Sequence, residues 1–196
     1  MLKIAHLSFS SPFVLAPLAG YTDLPFRLLC HRNGAGYCVS EMISCHGLVY
    51  QQQNTIKLLS YVPEERPISF QLFGADPEVM ADAAEILASY SPDMIDINMG
   101  CPVRKVTKKG AGAALMANSK LAETILKKIV AKVSIPVTVK IRSGKDTTSI
   151  NAVPFAKMLE EHGAAAISVH ARTWAQGFAG QIDQSVIAEV KNNVNI

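Results

Sequence analysis

A cysteine follows a glycine at the end of a short apolar run, in Asp96-Ile97-Asn98-Met99-Gly100-Cys101-Pro102. Glycine allows a sharp turn and a close approach to a ligand, and proline stiffens the chain beyond the thiol. Cys101 is therefore presented on a loop, where a thiol can act as nucleophile or as general acid. Arg104 and Lys105 nearby favour the thiolate, so proton donation calls for local shielding. A lone cysteine is more commonly a small apolar plug, but Asn98, Gly100 and Pro102 around this one favour chemistry.

Lys140 and Arg142 alternate with Val139 and Ile141. A period of two puts both cations on one face of a strand. Charge on a central strand must be paired or ligand-bound, because burial alone is too costly. A flavin or a phosphate would serve as partner, and a salt bridge to Glu41 or Asp96 competes. His170 closes another apolar run and can donate to an anionic ring or a phosphate; taken alone it reads as a core histidine, and Lys140 beside it favours ligand binding. Gln71 can meet both donor and acceptor edges of a ring, or cap loop amides. Ala16-Pro17-Leu18-Ala19-Gly20 is small enough for a flat ring to lie against the backbone, or is a plain turn. Lys109-Gly110-Ala111-Gly112-Ala113-Ala114-Leu115 either lines a channel or allows a tight loop-to-helix join. Cys30, Cys38 and the pair Cys45-His46 lack further ligands at metal spacing and are read as structural. Trp174 stacks on a ring or simply packs.

These residues need a scaffold, and the chain supplies strand signals at Phe13–Ala16, Tyr37–Ser40, Ile68–Leu72, Met94–Asn98, Val137–Ile141 and Ala166–His170. Their continuous apolar character fits strands buried on both faces, as in a parallel sheet covered by helices. Asp76-Pro77-Glu78 opens a helix with an apolar stripe at Val79, Met80, Ala83, Ala84 and Leu87. Asn118 or Ser119 caps the next long helix, and Gly163 ends another. Polar or turn-forming residues recur at six strand ends, namely Pro17, Glu41, Gln71, Asn98, Lys140 with Arg142, and His170 with Arg172. An open doubly wound sheet would gather its ligand groups at one crevice, whereas a barrel converges them on one mouth. The expected fold is a TIM (β/α)8-type barrel, incomplete, with about six βα units over residues 1–196. Val194-Asn195-Ile196 reads as the start of a seventh strand, and the chain reads as truncated before the last strands.

The chain has 49% hydrophobic and 18% charged residues and a net charge of +3, which suits a globular enzyme and is compatible with RNA. It contains no run of about 20 apolar residues and no signal-peptide pattern, so a cytoplasmic location is expected, without membrane or metal. Arg104, Lys105, Lys108 and Lys109 cluster beside the cysteine motif.

Ala16-Pro17-Leu18-Ala19-Gly20-Tyr21-Thr22-Asp23-Leu24-Pro25-Phe26-Arg27 resembles the opening motif of the tRNA-dihydrouridine synthases. Gln71-Leu72-Phe73-Gly74, Asn98-Met99-Gly100-Cys101-Pro102, Lys140-Ile141-Arg142 and His170-Ala171-Arg172-Thr173 resemble later motifs of that family, most of all its bacterial B-type branch. The resemblance implies a flavin-binding barrel followed by a helical tRNA-binding domain, which residues 1–196 lack. It implies reduction of a tRNA uridine to 5,6-dihydrouridine by FMN, with NADPH as reductant and Cys101 as proton donor. Ala16, Pro17, Leu18, Gln71, Lys140 and His170 would hold FMN, and Asn98 and Arg142 would sit between flavin and substrate. Trp174 stands where many relatives carry Arg. The rival expectations are an FMN barrel acting on free pyrimidines, like dihydroorotate or dihydropyrimidine dehydrogenases, and an inert fragment.

Overall fold

A computed structural model describes residues 1–196. Two short strands, β1 (Leu2–Ile4) and β2 (Leu7–Phe9), form an antiparallel hairpin. Six strands come after them in a second sheet: β3 (Val14–Leu15), β4 (Tyr37–Ser44), β5 (Ile68–Phe73), β6 (Met94–Asn98), β7 (Val137–Arg142) and β8 (Ala166–His170). They lie side by side in sequence order and every pair is parallel. All five residues of β6 are buried, as expected of a strand with helices on one face and other strands' side chains on the other. The six strands are those predicted, and they form an incomplete β/α barrel.

The helices are α1 (Leu24–Arg32), α2 (Cys45–Val49), α3 (Gln53–Ile56), α4 (Pro77–Ser89), α5 (Arg104–Thr107), α6 (Ser119–Lys132), α7 (Ala152–Glu161) and α8 (Gln184–Asn193). Asp76 accepts hydrogen bonds from the Glu78 and Val79 amides at the start of α4, with Pro77 at its first position. That geometry satisfies orphan amides where an acid also suits the helix dipole. Asn118 does the same for α6 through the Leu121 amide, at 3.2 Å. Met80, Ala83, Ala84 and Leu87 of α4, and Ala122, Ile125, Leu126 and Ile129 of α6, are fully buried in one cluster with β5, β6 and β7. No helix is long and apolar enough to cross a membrane.

Three features depart from the sequence reading. The hairpin has no counterpart among the expected strands; Ile4 and Phe9 pack with Tyr37, Val39 and Met94 in a separate small core. β4 runs on to Ser44, with an irregularity that places Val39 opposite Ser69 but Met42 opposite Gln71. One extra residue on β4 is a bulge, which reverses the facing of the residues beyond it. Ser40 satisfies the local backbone: its hydroxyl donates to the Glu41 carbonyl and accepts from the Gln71 amide. Glu41 is thus not a strand-end residue; Met42 takes the inward place. Finally, Val194–Ile196 form no strand. The Asn195 amide donates to the Glu160 carboxylate at 2.6 Å, and Val194 packs into the main core.

Candidate active site

Register sets the site. Gln71 on β5 lies opposite Asp96 on β6, Asp96 opposite Thr138 on β7, Asn98 opposite Lys140, and Arg142 opposite His170 on β8. The polar side chains of neighbouring strands therefore stand at similar heights at the carboxyl ends. Gln71, Asn98, Lys140, Arg142 and His170 line a cavity of about 640 Å³, within the ~300–1,000 Å³ typical of small-molecule sites, whereas Asp96 and Thr138 lie beneath it. Ala16, Pro17 and Leu18 form one wall; Gln71, Asn98, Cys101, Lys140, Arg142 and His170 complete the set expected from the sequence, and all nine border this one space. Tyr21, Met42, Val103 and Phe178 also border it, and no sequence signal singled them out. Tyr21 and Phe178 are 70% and 69% exposed, so no burial pattern in the sequence marked them. A second cavity, of about 530 Å³, lies among Leu48, Gln51, Gln53, Ile56, Lys57, Ile86 and Tyr90. Lys57 is its only charged residue, and it gathers no chemistry comparable to the strand ends.

The Cys101 loop is held from several sides. Asn98 Oδ1 accepts from the Gly100 and Cys101 amides at 3.2 and 2.9 Å. The Cys101 carbonyl accepts from the Ala113 amide at 3.0 Å, and the Trp174 indole N–H donates to the Pro102 carbonyl at 3.3 Å. Trp174 thus ties the cysteine loop to the loop after β8. Gly100 differs from expectation: a Cβ there would meet only ordinary contacts, from 3.5 Å. The position that requires glycine is Gly112, with φ +61° and the Cys101 carbonyl 2.7 Å from where a Cβ would stand. The run Lys109–Leu115 accordingly permits a tight approach to the cysteine loop.

The two cations of β7 behave differently. Arg142 is 2% exposed. Its Nε donates to the Gly100 carbonyl at 2.6 Å, and its Nη1 to the carbonyls of Thr173 and Gly177 at 3.1 and 2.7 Å. Backbone dipoles solvate this charge, so neither competing expectation, ion pair or ligand, is needed to explain its burial. Its guanidinium also lies 5.6 Å from the Phe178 ring centroid, within cation–π range. Lys140 forms no ion pair with Glu41 or Asp96: Glu41 accepts from the Gly20 amide, and Asp96 accepts from Gln71 and Thr138. Burial lowers the Lys140 pKa, with the Asp96 charge opposing. Burial raises that of Asp96, against the hydrogen bonds from Gln71 and Thr138 and the charge of Lys140.

Lys140 therefore faces the cavity at an energetic cost, and Lys140→Met is expected to stabilise the free chain at pH 7 by removing a partly desolvated, unpaired charge. The unfolded lysine holds its proton more firmly than the folded one, so wild-type stability rises with pH until the unfolded side chain also titrates. The advantage of the Met variant should shrink over that window. Urea unfolding at pH 7 and pH 10 measures this, and equal or lower stability of Lys140→Met at pH 7 would contradict it.

His170 is pushed down to about 4, first by burial and then by Arg142, Lys140 and Arg172. Its Nε2 lies 3.3 Å from Arg172 Nη1. Arginine only donates, so Nε2 accepts and the proton sits on Nδ1. The imidazole is thus a neutral donor at physiological pH. An NMR titration should show it uncharged from pH 8 to pH 5, charging only near pH 4; a midpoint above 6 would refute this. The folded pKa lies below the unfolded one, so this group's stabilising contribution is present above about 6.5 and lost as pH falls towards 4.

Cys38 and Cys45 are fully buried, and burial raises both thiols to about 11. They are structural residues away from the cavity.

The fold and the site define an incomplete β/α barrel with a polar, cation-bearing cavity at its strand ends and a cysteine on the rim. The chain belongs to the dihydrouridine synthase family: the family model described as "Dihydrouridine synthase (Dus)" matches residues 14–196. It is 40% identical over 195 residues to tRNA-dihydrouridine synthase B of Vibrio parahaemolyticus, covering 100% of this chain and 61% of that protein. It is 41% identical over 195 residues to the Shewanella oneidensis protein of the same name, again covering 100% and 61%. For the Pseudomonas aeruginosa protein of that name the values are 40% over 196 residues, 100% and 59%. The chain thus spans about three fifths of the length of these relatives. A solved structure of a variant of NCR from Zymomonas mobilis shares the fold, with a TM-score of 0.63 at 16% identity, covering 99% of this chain and 75% of that one.

Proposed function

We propose that this chain is the FMN-binding barrel portion of an enzyme that reduces uridine in tRNA to 5,6-dihydrouridine, with NADPH as reductant. The observation that carries this reading is the meeting of Cys101, Lys140 and His170 with six further motif residues on one cavity, in a chain of the dihydrouridine synthase family. The relatives at about 40% identity are named tRNA-dihydrouridine synthase B, which supports tRNA over a free base.

The residues present fit a flavin ring. The wall Ala16-Pro17-Leu18 has small and apolar side chains for a flat face, and Lys140, half-buried without an ion pair, offers positive charge to an electron-rich edge. His170 adds a neutral donor. When bound, reduced FMN would supply hydride to one carbon of the uracil C5=C6 bond and be re-reduced by NADPH; that chemistry belongs to the cofactor.

The protein's own part is positioning and proton delivery. Cys101 gives its S–H proton to the other carbon: the S–H bond breaks, a C–H bond forms, and a thiolate remains to be reprotonated by solvent. Arg142, whose Nε is bound to the Gly100 carbonyl next to Cys101, would steady that thiolate. It also fastens the Gly100 carbonyl to the loop after β8, so thiol and cavity roof stay in register. Asn98 holds the peptide that carries Cys101. The target base must leave its stack to reach the cavity. Arg104, Lys105, Lys108 and Lys109, exposed and without acidic partners beside Cys101, suit the phosphates around it.

The test has two stages. The chain is mixed with FMN and desalted, and its visible spectrum read. Unmodified tRNA and, separately, free uracil and orotate are then offered with NADPH. Retained flavin and dihydrouridine in tRNA alone are expected. Turnover of a free pyrimidine without tRNA modification would replace this reading with the pyrimidine dehydrogenase one, and a colourless chain would support an inert fragment.

A further inference from the structure

A run of hydrogen bonds crosses the cavity floor, and its direction can be assigned from either end. Backbone N–H groups only donate, so the Asn98 atom facing the Gly100 and Cys101 amides is Oδ1. Its Nδ2 then donates to Gln71 Oε1 at 2.8 Å. Gln71 Nε2 in turn donates to Asp96 Oδ2 at 2.6 Å. As a carboxylate Asp96 only accepts, and the two side-chain donors and the Lys140 charge oppose the burial that raises its pKa, so the far end carries the same sense. Asp96 Oδ1 accepts from the Thr138 hydroxyl at 2.5 Å. Gln71, Asp96 and Asn98 are 0%, 3% and 8% exposed, which leaves water little access as a substitute partner.

We propose that Asp96 is a positioning residue that acts at a distance on Cys101: it sets the direction of the amide chain through Gln71 and Asn98, and so holds the two peptide N–H groups that carry the thiol. The same direction decides which amide atoms of Gln71 and Asn98 meet a planar heterocycle in the cavity. The catalytic consequence rests on the proposed function, whereas the positioning itself is a property of the chain alone. Were Gln71 reversed, like atoms would meet between Gln71 and Asn98. Were Asn98 reversed as well, its NH2 would oppose two peptide donors. A reversal started at position 96 therefore ends at the Cys101 turn.

Isosteric substitutions separate direction from charge and packing. Asp96→Asn keeps the sense, because the Thr138 hydroxyl can rotate to accept from the new NH2 while the amide oxygen still faces Gln71. Thr138→Val also keeps it, because the carboxylate remains an acceptor. Asp96→Asn with Thr138→Val removes both constraints at that end, so the sense rests on the Gly100 and Cys101 amides alone and reversed chains become populated. The readouts are deuterium exchange of the Gly100 and Cys101 amides, and alkylation of Cys101 by iodoacetamide followed by peptide mapping. Each single variant should stay within about twofold of wild type, while the double variant changes by about tenfold, the factor for one buried hydrogen bond lost. That non-additivity is the signature. In an active preparation, kcat for uridine reduction should fall in the double variant with KM for tRNA little changed. Wild-type exchange in the double variant would overturn the proposal. So would additive effects, or a large effect of Asp96→Asn alone, which would mean that charge and not direction matters. Absence of activity in the wild type would count against the proposed function and leave the exchange result standing.

Discussion

Replacing Cys101 with alanine is expected to lower dihydrouridine formation by about 10²–10⁴-fold, the usual contribution of a positioned proton donor, while flavin retention stays within about twofold. The two outcomes separate because the thiol and the proposed flavin contacts come from different places. Lys140, His170 and the Ala16–Leu18 wall belong to β7, β8 and the β3 turn, whereas Cys101 sits on the loop after β6. The loop itself should survive, since its anchors are peptide groups: Asn98 to the Gly100 and Cys101 amides, Ala113 to the Cys101 carbonyl, and Trp174 to the Pro102 carbonyl. Cys101→Ser should resemble alanine more than wild type, because a hydroxyl is a far weaker acid at the same position. The measurement is dihydrouridine per tRNA in single turnover with pre-reduced flavin, which isolates the chemical step from NADPH oxidation. An alanine variant that turns over like wild type would remove Cys101 from proton transfer.

The part of the site legible from residues alone obeys a physical division. Cys101, Lys140, Arg142 and His170 were legible because strand periodicity and the end of an apolar run act over a few neighbours, although the glycine that the cysteine loop requires is Gly112 and not Gly100. The caps at Asp76 and Asn118 were legible for the same reason. Features that depend on strand register were not. In the sequence Asp96 reads only as a salt-bridge candidate; its hydrogen bonds to Gln71 and Thr138 exist because the strands place residues 71, 96 and 138 side by side. The bulge in β4 has no residue signature in Val39-Ser40-Glu41-Met42, yet it brings Met42 to the cavity and takes Glu41 to the Gly20 amide. Arg142 shows a related limit. The rule that a buried charge needs a counter-charge or a ligand left out a third solution, carbonyl oxygens from two loops, which no spacing in the chain announces.

Arg27 belongs to the same class, and its substitution should have the largest effect on folding. It sits on α1 and is 2% exposed, with Glu65 fully buried beside it. Arg27 Nε and Nη2 donate to the two Glu65 oxygens at 2.9 and 3.2 Å, Nη1 to the Thr22 carbonyl at 2.9 Å and Nη2 to the Ser60 carbonyl at 2.8 Å. Arg27→Met would leave the Glu65 carboxylate buried with the Val62 amide as its remaining partner, and the expected loss is about 3–5 kcal/mol. Adding Glu65→Leu removes the stranded charge and should recover more than half of that loss, although the Thr22 and Ser60 carbonyls stay without their donor. The effect reaches the site through Thr22, whose hydroxyl accepts from the Leu18 amide and donates to the Leu18 carbonyl at 3.1 and 3.2 Å. With the Thr22 carbonyl released, the turn that forms the proposed flavin wall loosens, so flavin affinity should fall in the single variant under conditions where the chain remains folded. Urea unfolding of the two single variants and the double one gives the coupling energy directly. A loss below about 1 kcal/mol in Arg27→Met would show that water or another donor reaches Glu65, and that the pair is no anchor for the cavity wall.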